Sequence, residues 1–271
     1  MSKESQSDRH ELIKSLYAAE GGVPSAFSAR VSDYAAHRPG YPHALFDYLA
    51  SRHPPNGEVT VVDVGAGTGL LTRGLLRRGY RTFAIEPSPE MREVAERDLE
   101  SNHRFRSFAG TAESIPLDSQ SVDVVTAAQA FHWFCLERAR AEFLRVLKPI
   151  GEVAIIWNDG VRGDPVRAAV DQLLNRYDGT KRAVLQARED RSSVYRLFRT
   201  IRPRVRTFPN EQWLDEDGFT GLVFSGSFVP LRTTQEGRQL LIELRSLFKR
   251  FERNGMIMVR YRTVVFTGRP S

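Results

Sequence analysis

The chain is poor in cysteine, with Cys135 alone among 271 residues. No internal disulfide can form, and a reducing, cytoplasmic setting is expected. Long apolar runs are missing too. Nothing approaches the ~20 consecutive apolar residues of a bilayer-crossing helix, and no apolar segment follows a basic start, so neither membrane spanning nor export is expected. Internal repeats and low-complexity tracts are absent, which sets aside solenoids and arrays. A chain of this length can bury one good core, so one α/β domain with an added subregion is expected rather than two equal domains.

Acidic residues are scarce in one place. Lys plus Arg total 39 and Asp plus Glu 33, a formal +6. The window Lys181 to Arg206 carries nine Lys and Arg (Lys181, Arg182, Arg188, Arg191, Arg196, Arg199, Arg202, Arg204, Arg206) against Glu189 and Asp190, a net +7. The remainder of the chain is near −1, so attraction for an anion is local to this segment. Three readings fit the window: a solvated helical face, one or two arginines that hold an anionic small molecule, and a phosphate-binding surface for RNA.

The dominant positive signal is the stretch Val59 to Leu76. A β-branched run ends at Asp63 and passes through Gly65, Gly67 and Gly69 into an apolar pattern of helical spacing from Leu70. That reads as strand, tight turn and helix, with glycines where the backbone must approach a ligand or take positive φ. A second strand, Arg81–Ile85, ends in Glu86, and Ser88 and Pro89 open a helix as cap and first-turn residue. Glu86 follows Gly65 by 21 residues, which suits an acid that reaches ribose hydroxyls.

Further strands are expected at Arg104–Ala109, Val122–Ala128 and Glu152–Trp157, with a helix through Phe143, Leu144 and Leu147 between the last two. Strand and helix alternate, which predicts a doubly wound, mostly parallel α/β sheet whose ligands lie beyond the carboxyl ends of the strands. Helical patterns follow at Pro165–Tyr177 and Ser192–Ile201, and Pro203 and Pro209 interrupt the chain. A sixth strand is expected at Leu222–Val229 and a seventh at Ile257–Thr267, separated by a helix that carries Leu240, Leu244, Phe248 and Phe251. Residues 1–26 read as a polar, partly disordered arm with a short helix at Glu11–Ala19. Residues 27–271 read as one domain, with 159–212 a helical insertion or substrate-covering subregion.

Dinucleotide turns have the spacing G-x-G-x-x-G, but here the third glycine comes one residue early and Asp63 stands two residues before the first. Asp63-Val64-Gly65-Ala66-Gly67-Thr68-Gly69 resembles the first motif of the class I S-adenosylmethionine-dependent methyltransferases. With Glu86, Thr111-Ala112-Glu113 and Val122-Asp123-Val124-Val125, the resemblance covers most of Tyr34 to Trp157. It implies a Rossmann-like, seven-stranded methyltransferase fold with an N-terminal helical cover, and S-adenosylmethionine as cofactor, released as S-adenosylhomocysteine. It implies that Asp63 attracts the cofactor's ammonium and that Gly65, Ala66, Gly67 and Thr68 pass under its methionine part. Glu86 binds the ribose, Pro87 and Met91 flank the adenine, and Thr111, Ala112 and Glu113 touch its edge. Thr111 departs from the Asp often found there, and Ile150 from the glycine of the L-K-P-G-G turn.

More narrowly, Tyr34, Arg38-Pro39, Tyr41-Pro42, Gln129 to Phe134, Val229-Pro230 and Tyr261-Arg262-Thr263 resemble a small-molecule group that includes trans-aconitate methyltransferases. This implies that Tyr34 and Arg38 cover the cofactor carboxylate. Gln129 and Phe131 adjoin the cofactor, and Tyr41, Trp133, Trp157 and Asn158 face the acceptor. His132 has two readings, a general base with the ordinary histidine pKa near 6.5 and a pocket-shaping residue. The N/D-P-P-Y/F signature of amino methyltransferases is replaced by Gln129-Ala130-Phe131-His132. The expectation is methyl transfer to a small, in one reading anionic, acceptor, by a monomer or homodimer without a metal. RNA methylation through residues 181–206 and cofactor binding without transfer are the alternatives.

Overall fold

The computed structural model describes residues 15–18, 21–22, 25, 30–177, 191–199 and 201–271. Its frame is a seven-stranded sheet of β1 Thr60–Val64, β2 Arg81–Ile85, β3 Phe105–Phe108, β4 Val122–Ala128, β5 Leu147–Gly160, β6 Arg204–Leu214 and β7 Ile257–Gly268. The spatial order is β3-β2-β1-β4-β5-β7-β6. Strands β1 to β5 run parallel, and β7 lies antiparallel between β5 and β6. The strand order reverses between β1 and β4, which is where an open α/β sheet leaves a crevice past its carboxyl ends.

Helices cover both faces: α1 Val31–His37, α2 His43–Arg52, α3 Leu70–Arg77, α4 Pro89–Leu99, α5 Leu136–Val146, α6 Pro165–Leu174, α7 Ser192–Phe198, α8 Glu216–Phe224 and α9 Gln235–Phe251. All five residues of β1 are buried, so alternate side chains feed two cores. Val62 and Val64 join Val125, Phe143, Ile155 and Phe198 on one face. Val61 joins Leu45, Leu71, Leu75, Val124 and Ile156 on the other. A further cluster, built on Leu214, Phe219, Phe224, Leu240, Leu244, Phe248 and Val259, ties α8 and α9 to β6 and β7. It forms a roof beside the ends of β4 and β5.

Three expectations change in the structure. The stretch expected as a strand at Leu222–Val229 is the end of helix α8 and the turn after it. Asp215 Oδ1 accepts the Gly218 N–H at 2.8 Å, an N-cap that sets the helical period before the apolar run begins. The sixth strand is instead Arg204–Leu214, through Pro209. Among the described strands it pairs with β7 alone, and at such an edge a proline is tolerated, because alternate N–H groups of an edge strand face away from the ladder. Residues 204–212 of the expected helical insertion are therefore strand. Strand β5 also begins earlier than expected, at Leu147, through an irregularity opposite Val122 and Val124. Most of the helix expected at Glu11–Ala19 lies outside the described residues. Within the arm, however, Tyr17 is fully buried.

Helix α1 lies against α8, and at Gly221 an added Cβ would stand 2.0 Å from the His37 ring. Gly221→Ala is expected to push the two helices apart and cost about 1–3 kcal/mol, as overpacking of a filled contact does. Urea unfolding of both proteins measures this.

Candidate cofactor and acceptor site

The glycine turn is fastened to the neighbouring strand before any ligand arrives. Gly65 and Ala66 N–H both donate to Ile85 O, at 2.8 and 3.1 Å. Gly67 has φ +57°, and a Cβ there would fill the space between Met91 Sδ at 3.7 Å and Tyr34 Cε1 at 3.8 Å. Only glycine leaves that slot open. Beyond it, Glu86 Oε2 accepts the Gly67 N–H and Oε1 the Ser88 N–H, each at 2.9 Å. Burial raises the Glu86 pKa, and the two backbone donors oppose that. Ser88 caps α4 as its sequence foretells, and its Oγ accepts the Met91 N–H at 3.3 Å. Each carboxylate oxygen of Glu86 keeps lone pairs that hydroxyl donors can satisfy, as a ribose diol would.

Next to this cradle is a cavity of about 270 Å³. Gln129, His132 and Trp133 line it from the end of β4, and Trp157 and Asn158 from the end of β5. Tyr34 and Arg38 reach it from the N-terminal cover, and the roof supplies Val166, Arg167, Val170, Asp171, Phe219, Val223, Ser227 and Tyr261 among others. Gln129 has φ +57°. Its N–H is tied to Ile156 O at 2.9 Å and its Nε2 donates to Asn158 O at 3.3 Å, so the strained residue is held between two strand ends. Tyr17 closes the rim: its hydroxyl donates to Ser227 Oγ at 2.9 Å and its ring meets Trp133 edge-on at 5.9 Å.

A family model described as a methyltransferase domain matches residues 62–155, which is β1 to β5. A methyltransferase-like protein of Schizosaccharomyces pombe is 30% identical over 245 residues, covering 89% of this chain and 94% of its own length. The chain belongs to the S-adenosylmethionine-dependent methyltransferases. An uncharacterized methyltransferase of Mycobacterium tuberculosis is 39% identical over 160 residues, or 54% of this chain. That match spans 63% of the mycobacterial protein. The fold agrees with a solved structure from Anaeromyxobacter dehalogenans assigned to the type II methyltransferases, with TM-score 0.64, 29% identity, and 86% of this chain and 98% of that one covered. The cofactor of the family is S-adenosylmethionine, and the open slot at Gly67 beside the acceptor-only Glu86 suits it.

The residues expected around this cofactor fall into two groups. Gly65, Gly67, Glu86, Met91 and Tyr34 converge on the turn, with Ala66 beside them and Pro87 exposed at the start of the next loop. Thr68 is buried, and its Oγ1 has no hydrogen-bond partner. Arg38 stacks 5.0 Å from the Tyr34 ring centroid and donates from Nη2 to Ser225 O at 3.0 Å. The second group is engaged elsewhere. Asp63, placed by the sequence toward the ammonium, is 1% exposed and turned inward, where it accepts from Thr72 Oγ1 at 2.7 Å and Thr126 Oγ1 at 2.9 Å. Glu113 Oε1 accepts the Cys135 N–H at 2.6 Å and so serves the start of α5, and Thr111 Oγ1 accepts the Glu113 N–H at 3.3 Å. Ala112 and Phe131 are core residues.

Of the acceptor-facing residues expected, His132, Trp133, Trp157 and Asn158 line the cavity and Tyr41 does not. Tyr41 packs beside Leu45 and Leu49, and burial holds its phenol well above the ordinary range. Asn158 is also a brace, since its Nδ2 donates to Gly40 O at 3.0 Å and its Oδ1 accepts from Thr263 Oγ1 at 2.6 Å. Sequence reasoning missed Arg167 and Asp171. Their i, i+4 spacing beside Val166, Val170 and Leu174 marks one face of α6 and is the signal that could have found them.

Burial raises the Asp63 pKa to about 6, against the hydroxyls of Thr72 and Thr126 that lower it. The folded state thus holds this proton where the unfolded chain has lost it, so this group's contribution to stability falls as pH rises from about 4 through 6. Relative to Asp63→Asn, the wild type is expected to lose about 2 kcal/mol between pH 4.5 and 7.5. Urea unfolding of the two proteins at both pH values checks the sign.

Proposed function

We propose that the chain transfers a methyl group from S-adenosylmethionine to a small organic acceptor. The acceptor sits between the ends of β4 and β5 and the roof of α6, α8 and β7. The observation that supports this best is the roofed, largely apolar cavity of about 270 Å³ next to the glycine turn. A cavity of that size takes a compact molecule rather than a polymer segment. When bound, the cofactor supplies a sulfonium-held methyl group that is open to direct displacement, for which alignment of the two partners provides much of the acceleration.

The chain's own residues divide that work. Gly67, Tyr34 and Met91 hold the donor, Glu86 accepts hydrogen bonds from its ribose, and Arg38 beside Tyr34 neutralises its carboxylate. Trp133 and Trp157 wall the acceptor and offer aromatic faces to the positive sulfur. His132 receives the proton of an O–H or N–H acceptor. The similarity to the small-molecule group that includes trans-aconitate methyltransferases supports the same reading for the acceptor. In the basic window, Lys181, Arg182 and Arg188 lie outside the described residues. Arg191 and Arg199 pair with Asp159 and Glu137 and Arg204 reaches Glu152 at 3.5 Å, whereas Arg196, Arg202 and Arg206 are exposed, and an RNA substrate is the second reading.

Calorimetric titration is expected to show S-adenosylmethionine binding, with preference over NAD. Glu86→Gln should weaken it by about 10- to 100-fold, the effect of one charged hydrogen-bond acceptor lost. No binding by the wild type would sink the cofactor assignment. Methyl transfer from labelled cofactor to a panel of small acids, phenols and amines tests the reaction, and no transfer to any of them would leave a cofactor-binding protein. With an O–H or N–H acceptor found, His132→Ala should be about 100-fold slower than the wild type.

A further inference from the structure

The two guanidinium groups that line the cavity are differently occupied. Arg38 donates to Ser225 O, stacks on the Tyr34 ring and is assigned above to the cofactor's carboxylate. Arg167, on α6, is held by one edge only: its Nε donates to Asp171 Oδ1 and Oδ2 at 3.0 and 3.2 Å. Its two terminal nitrogens donate to nothing among the described residues. At Gly160, the last residue of β5, a Cβ would stand 2.4 Å from Arg167 Nη1. The strand end is thus bare where the guanidinium passes. One carboxylate fixes the near edge of the fork and one glycine leaves room for the far edge. The side chain is 41% exposed, so a ligand can reach it.

The other unpaired groups point to the same ligand chemistry. Among the cavity-lining residues, the buried polar side-chain atoms without a hydrogen-bond partner are Arg38 Nε and Trp157 Nε1. Both can only donate. The charged lining is Arg38 and Arg167 against Asp171, one positive charge in excess with histidine neutral. A neutral amide offers these donors one carbonyl oxygen and sets its own N–H donors against the rest, whereas a monoanion with two coplanar oxygens matches the planar fork.

We propose that Arg167 is the acceptor-specificity residue, which binds the carboxylate of a small organic acid through its two terminal nitrogens with the Trp157 indole N–H as a further donor. This rests on the reading of the cavity as the acceptor site. The carboxylate is the handle by which the acceptor is held, and no proton moves in its recognition.

The test is calorimetric titration of the full chain, with and without S-adenosylhomocysteine, using matched probes: benzoate and benzamide, cinnamate and cinnamamide, and phenyl phosphate. The wild type should bind each acid about tenfold or more tightly than its amide, the size expected of a bidentate charged contact. In Arg167→Gln that ratio should fall to about twofold or less, with affinity for S-adenosylhomocysteine unchanged. Gly160→Ala keeps every charge and displaces the guanidinium, and it should lower the ratio as well. Equal binding of acid and amide by the wild type would overturn the proposal, as would no binding of any acid. A ratio that survives Arg167→Gln, or phenyl phosphate bound more tightly than both acids, would do the same. Failure of the wild type to bind S-adenosylhomocysteine would instead count against the methyltransferase reading, and the titrations without it still judge Arg167.

Discussion

The site depends on the joint between β1 and β2. Parallel pairing sets Val64 opposite Ile85, and the backbone then turns back so that two N–H groups meet the single carbonyl of Ile85. One residue further, the Glu86 carboxylate bridges the turn to the start of α4. Each of these bonds contributes only about 1 kcal/mol net, but together they fix a tight loop without help from a side chain inside it. The space a ligand needs is kept by the absence of a Cβ at Gly67, with Tyr34 and Met91 as walls. Register, turn and slot are therefore one feature.

The second half of the site follows a different logic. Its walls come from α6, α8 and β7, which share a core of their own through Phe219, Leu240, Leu244 and Phe248. The matched family region ends at residue 155, before any of these elements begin. The glycine turn and Glu86 thus lie in the matched region, and the walls from α6, α8 and β7 in the stretch beyond it. Arg167, Asp171 and Gly160 all belong to the latter.

The same division explains what could be read in the sequence. The first four strands, the Ser88 cap and the glycine turn were legible because each is set locally, by a β-branched run, a cap or a glycine. The sixth strand was not. Arg204–Leu214 alternates without a strong apolar face because it is an outer strand, and Pro209 masks it. The apolar run from Phe219 read as a strand, although the deciding element was the Asp215 cap four residues earlier. Site residues divided along the same line. Trp133 and Trp157 follow from their place at strand ends, but the inward turn of Asp63 and the engagement of Glu113 with α5 depend on partners far away in sequence. Arg167 lies on a helix whose amphipathic face was visible but whose partner was not.

The Asn158 side chain, described above as a brace, has a consequence for how the molecule is made. It joins the end of β5 to Gly40 of the cover and to Thr263 of β7, and Asn210 Nδ2 of β6 meets both Gly40 O and Asn158 Oδ1. Thr263 leaves the ribosome long after the glycine turn and Glu86, which stand far earlier in the chain. A nascent chain can therefore complete the glycine turn and its Glu86 bridge long before it owns the roofed cavity. Translation itself orders the two halves.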